Sequence, residues 1–131
     1  LRTDYSPKPN GGLARESGDN RYVVGCAGKH FALERWALRA PHAEPAHPDR
    51  AFLISNVGAP VEIAYAGGTE TLGRAESCVI PAALGEFRIV PQTEADLIVC
   101  YVPNLERDII APLRAAGHDD AAIAALGELN L

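Results

Sequence analysis

The sequence predicts an all-β domain, an antiparallel barrel or sandwich, followed by short C-terminal helices. Short apolar segments recur between Arg21 and Pro103. Turn signals separate them every roughly 8 to 12 residues, the spacing of such all-β architectures. Beyond Pro103 the apolar spacing becomes helical and is punctuated by capping residues. A chain of 131 residues is one domain's worth, long enough for a real core.

Taken in order, residues 1–20 are rich in Pro, Gly, Asn and charge, as in Ser6-Pro7-Lys8-Pro9-Asn10-Gly11-Gly12. With neither a strand nor a helix period, they read as a linker or strap. The barrel spans 21–103. Its first strands are Tyr22–Cys26 and Phe31–Leu38, followed by a Pro- and His-containing loop, Pro41–Arg50. Ala51–Val57 is strongly apolar. Val61–Tyr65 alternates, with Val61, Ile63 and Tyr65 on one face. Ala66-Gly67-Gly68 suits a hairpin turn. Thr69–Leu72, Glu76–Ile80, Phe87–Val90 and Asp96–Val102 complete the strands. Between Glu76–Ile80 and Phe87–Val90, Pro81 and Gly85 turn the chain sharply in Val79-Ile80-Pro81-Ala82-Ala83-Leu84-Gly85-Glu86-Phe87.

Residues 104–131 form a helical extension. Asn104 caps a helix carrying Leu105, Ile109, Ile110 and Leu113, with Pro112 an awkward interior residue and Gly117 a stop. Asp119 caps a second helix that ends at Gly127. That helix begins Asp119-Asp120 and is otherwise Ala-rich, the wrong chemistry for a DNA reader.

Composition excludes several classes. The net charge of −5, with no basic run longer than two residues, speaks against nucleic acid as a partner. No apolar run approaches the roughly 18 residues a bilayer span needs, and no signal peptide is visible. The odd cysteine count (Cys26, Cys78, Cys100, no CxxC pair) suggests buried reduced thiols and a cytoplasmic protein. Cys78 and Cys100 lie in apolar strands, as core thiols would. The chain starts at Leu1 and contains no Met, so a fragment or processed chain is expected.

Chemistry-bearing motifs are sparse. No GxSxG, P-loop or GxGxxG occurs. His42 and His47 share one loop and, with Glu44, are the only metal-site candidates; solvated loop residues are the simpler reading. Glu34 and Arg35, beside Trp36, read as an ion pair at a barrel rim or as the lining of a sugar pocket.

Several segments resemble type I mannose-6-phosphate isomerases, in the same order. Val79 to Phe87 resembles the family's "IPAALGEY" segment in its C-terminal barrel, and Ile98–Pro103 its closing "YVP" strand. Cys26 to Trp36 is similar to the strand carrying "FxxER"; Phe52 to Gly58, with Gly67-Gly68 and Leu72, is similar to the following hairpin. The resemblance covers roughly residues 20–103. It implies a cupin-type double-stranded β-helix, or jelly-roll, barrel and the C-terminal, non-catalytic domain of an isomerase. The family interconverts mannose 6-phosphate and fructose 6-phosphate with zinc. Its zinc ligands and the arginine of its "YRxYDY"-like segment precede the matched region. The resemblance therefore assigns no catalytic, cofactor-binding or metal residue here, and expects zinc only in the full-length protein. It implies the N-terminal catalytic half of the same polypeptide as partner, and a sugar phosphate as possible ligand. Metal-binding cupin spacing, counted back from Gly58, puts ligand positions at Pro45, His47 and Ala51, of which His47 alone can ligate. The later ligand position, near Glu86, Phe87 and Arg88, has no His. The alternative expectation is a metal-free sugar-binding or sensor cupin.

Overall fold

Strand residues alternate between a packed face and a solvent face, and this alternation builds the fold. The computed structural model describes residues 11–131. Residues 1–10 of the expected strap lie outside the described residues. The strands are β1 (Leu13–Ser17), β2 (Asn20–Gly28), β3 (Phe31–Leu38), β4 (His42–Glu44) and β5 (Phe52–Asn56). They continue as β6 (Val61–Tyr65), β7 (Gly68–Leu72), β8 (Ser77–Ile80), β9 (Phe87–Pro91) and β10 (Ala95–Tyr101). Every pairing is antiparallel. A six-stranded sheet runs β1-β2-β3-β10-β5-β8 and a four-stranded sheet runs β4-β9-β6-β7. The all-β expectation holds, and the inward residues of the two sheets make one core.

In β10, Ala95, Leu97, Val99 and Tyr101 are buried, while the residues between them are half-exposed. Leu38, Ile54, Ile89, Leu97 and Val99 are fully buried, each worth roughly 1.5–3 kcal/mol relative to exposure. The Pro81 turn forms as expected: a 3-10 turn spans Ala82–Leu84, and the Leu84 amide donates to the Pro81 carbonyl at 3.0 Å. Gly85 follows with φ of 86°, a conformation that penalises any Cβ.

Three local readings change. Leu13–Ser17, inside the expected strap, is a strand whose Arg15 lies opposite Tyr22. The expected loop Pro41–Arg50 contains β4, paired to β9. The cysteines are less buried than their apolar surroundings suggest. A bulge between Val24 and Cys26 inserts one residue into β2, so the inward phase passes from Tyr22 and Val24 to Ala27, and Cys26 is exposed. Cys100 sits between inward Val99 and Tyr101 and therefore faces outward, half-buried. Cys78 packs on the core only in part. Burial pushes the thiols of Cys78 and Cys100 above their ordinary value.

Beyond the barrel, Leu105–Ile110 is a π-helical segment, α1 is Ala111–Ala115 and α2 is Asp120–Ala124. Asn104 caps the first through the Arg107 amide at 3.1 Å, and Asp119 caps α2 through the Ala122 amide at 2.8 Å. Pro112 lies inside one continuous helical run, just after the π-helical segment gives way to α1, with Ile110 and Ala111 both in helical backbone before it. Ile109, Leu113 and Ile123 are fully buried and dock this extension on the barrel. Gly127 passes so close to β2 that a Cβ there would lie 2.0 Å from the Ala27 carbonyl oxygen.

Candidate functional site

Among the described residues six polar or charged side chains are buried, and four of them, Glu34, Glu44, Arg50 and Asp108, line one cavity, with Glu44 and Asp108 both bound to Arg50. β3 points Ala32, Glu34, Trp36 and Leu38 inward and Arg35 outward. The Glu34–Arg35 pair read from the sequence is thus split across the sheet. Arg35 forms a two-pronged ion pair with Asp96 on the surface, at 2.8 and 2.5 Å. Those bonds hold the Asp96 carboxyl below the usual carboxylate range.

Glu34 is 1% exposed and has three neighbours that offer protons. The Trp36 indole donates at 3.0 Å, the Tyr101 hydroxyl donates from β10, and an Arg15 Nη lies 3.5 Å away. Burial first, then the Glu34 charge, pushes the Tyr101 hydroxyl well above its ordinary value, so it stays protonated and remains a donor. Trp36 therefore fills the core and fixes a carboxylate; at 2% exposed, it is no open stacking platform.

The second half of the network comes from the β4–β5 connection and the C-terminal extension. Arg50 donates to Glu44 at 2.6 Å and to Asp108 at 2.7 Å, and its guanidinium lies over the Phe52 ring, 4.9 Å from the centroid. Asp108 also accepts from Arg107 at 2.8 and 3.1 Å and from the Asn104 amide at 2.9 Å. Burial alone would raise the Asp108 carboxyl. The bonds from Arg107 and Asn104, with the charges of Arg50 and Arg107, outweigh it and hold the carboxyl below its ordinary value.

His42 uses both ring nitrogens. Nε2 meets Glu44 and Nδ1 meets the Tyr22 hydroxyl, each at 2.6 Å. A carboxylate only accepts, which places a proton on Nε2; in the neutral ring Nδ1 then accepts from Tyr22. The structure thus brings His42 and Glu44 together, two of the three members of the sequence-derived metal set. His47 lines the neighbouring cavity, at the far end of the same loop. A zinc ion needs three or four donors with free lone pairs converging on it. Here Glu44 is already bound by Arg50 and His42, and both His42 nitrogens are engaged. Among the described residues no group of three or more His, Cys, Asp or Glu gathers as a metal site. The donor set does not fit zinc.

A cavity of about 220 Å³ opens against the network, walled by Arg15, Glu34, Arg50, Phe52, Tyr101 and Asp108 among others. Arg50, Tyr101 and Asp108 escape sequence reasoning because their partners are 58 and 67 residues away in the chain. The one local signal was that Asp108, the last of the charged run Glu106-Arg107-Asp108, directly precedes the buried pair Ile109-Ile110.

Neither a family model nor a curated protein sequence matches the chain. Solved structures do. An RmlC-like cupin from Shewanella frigidimarina superposes with a TM-score of 0.63 at 12% identity, covering 81% of this chain and 96% of that one. The fold is a cupin barrel. Ectoine synthase from P. lautus is similar at TM-score 0.61 and 10% identity, over 69% of this chain and 68% of that one. Mannose 6-phosphate isomerase from Bacillus subtilis is similar at TM-score 0.60 and 16% identity, over 76% of this chain. The cupin barrel described here spans only 31% of that isomerase's length. No helix among the described residues is long and apolar enough to cross a membrane.

Proposed function

We propose that this cupin barrel is the accessory, non-catalytic domain of a mannose-6-phosphate isomerase of type I. One observation carries the reading. The barrel interior, where a metal cupin converges its ligands, is given over to mutual ion pairing: Glu44 and Asp108 both bind Arg50, and Glu34 binds Trp36 and Tyr101. Each carboxylate is held as an acceptor by fixed donors, so none stands free as a base for moving a proton between sugar carbons. The ordered motifs from Cys26 to Pro103 and the match to one part of a longer isomerase support the same assignment.

On this reading the barrel covers the N-terminal catalytic half and shapes its rim, and zinc belongs to that half. The outer face of the six-stranded sheet offers a surface for such docking. Leu33, Cys100, Leu53 and Val79 stand in register across four strands, and Leu53 and Val79 are 45% and 68% exposed. The test is interconversion of mannose 6-phosphate and fructose 6-phosphate with zinc supplied. It compares this chain with a natural polypeptide that carries it together with a catalytic half. Activity confined to the longer polypeptide is expected. Activity in this chain alone overturns the non-catalytic role; inactivity of both overturns the isomerase assignment.

A further inference from the structure

Hydrogen-bonding capacity left over in a core points to what the core is built to receive. Among the described residues, two buried side-chain polar atoms have no partner: Nε of Arg15 and Nε of Arg50. Both are donors, and both arginines line the same cavity of about 220 Å³. The Arg50 side chain is 7% exposed, so bulk water does not satisfy its Nε–H, and an unmet buried donor is costly. Its other nitrogens are committed to Glu44 and Asp108, which fix the guanidinium plane. The Arg15 guanidinium is likewise fixed, lying over the Tyr22 ring at 4.4 Å.

We propose that this cavity binds a small oxyanion, a carboxylate or phosphate group, received by the Nε–H donors of Arg15 and Arg50. The missing partner is an acceptor, and guanidinium groups with fixed planes match oxyanions geometrically. The cavity is smaller than the 300–1,000 Å³, roughly, of drug-sized sites, so it suits a compact ion or the charged end of a molecule. Charge sets a further limit. Arg15, Arg50 and Arg107 balance Glu34, Glu44 and Asp108 around the cavity, so a singly charged group is favoured over a dianion. This inference goes beyond the accessory-domain reading and does not depend on it, because it concerns only this barrel's interior.

The test is calorimetric titration of the 131-residue chain with sodium phosphate and with sodium acetate, against sodium chloride at matched ionic strength. Saturable binding of one per chain is expected for at least one oxyanion and none for chloride; the pair of titrations separates phosphate from carboxylate. Arg15→Gln removes one open donor from a side chain that is 26% exposed, and it should weaken binding by about tenfold or more while circular dichroism shows the same fold, even though the lost contact to Glu34 lowers the unfolding midpoint. Arg50→Lys, which keeps a charge but loses the Nε–H, should weaken binding at least as much. No saturable binding of either oxyanion up to about 10 mM, a range that includes millimolar dissociation constants, overturns the proposal. Binding undiminished in Arg15→Gln also overturns it.

Discussion

Asp108→Ala tests how far the Arg50 network holds the C-terminal extension to the barrel. The Asp108 side chain is 3% exposed and accepts from Arg50, twice from Arg107, and from the Asn104 amide. Its removal strips Arg50, itself 7% exposed, of one of its two carboxylate partners. Breaking a buried ion pair from one side costs about 3–5 kcal/mol, since a charge is left desolvated and under-compensated. Arg107 is 34% exposed, so water can reach the gap from that side, and the lower end, about 3 kcal/mol, is expected. For a domain of this size that is a fall in Tm of about 12 °C. Urea unfolding followed by fluorescence of Trp36, the sole tryptophan, reads it directly. The midpoint should drop with little change in the slope m. Asn104→Ala, which removes only the cap to Arg107, should cost about 1 kcal/mol. A loss below about 1 kcal/mol for Asp108→Ala, no more than the cap alone, would refute the reasoning.

Further expectations follow from the same packing. Tyr101→Phe removes a donor to buried Glu34 and should cost about 1.5–3 kcal/mol in urea unfolding, the range for bonds to charged groups. Gly127→Ala places a Cβ 2.0 Å from the Ala27 carbonyl oxygen, so it should undock the chain end and raise amide exchange at Ala27, whose N–H donates to the Leu126 carbonyl. Acid should destabilise the fold below about pH 4, where unfolded carboxyls begin to bind protons. The Asp108 and Asp96 carboxyls are held lower in the folded state, so their contribution is complete above that pH and is lost as pH falls through their folded values. Stability measured by urea between pH 2 and 6, roughly, should fall less steeply with acid in Asp108→Ala.

The barrel was legible because its strands carry period-2 alternation and its turns carry Pro and Gly, as at Pro81 and Gly85. Where alternation is broken, reading fails: the bulge after Val24 reverses Cys26, and alternation alone cannot announce an inserted residue. β4 is three residues long and set among prolines, too short to show a period. Arg15 was hidden in a stretch whose Gly and Pro content suggested a strap. The site was legible at Glu34 and Trp36, a polar residue beside a large aromatic one in a strand, and at His42 and Glu44, though the sequence offers these as metal ligands and not as parts of an ion-paired network. Its remaining members, Arg50, Tyr101 and Asp108, are united by topology: β10 runs between β3 and β5, and the extension then returns Asp108 to Arg50. No local spacing encodes that return.

The central claim is that this barrel's interior is committed to ion pairing around Arg50. Metal analysis of the chain after equilibration with zinc and exhaustive dialysis tests it most directly. The account predicts far less than one zinc per chain, unchanged by His42→Ala or His47→Ala. One tightly held zinc per chain, lost in either variant, would contradict it.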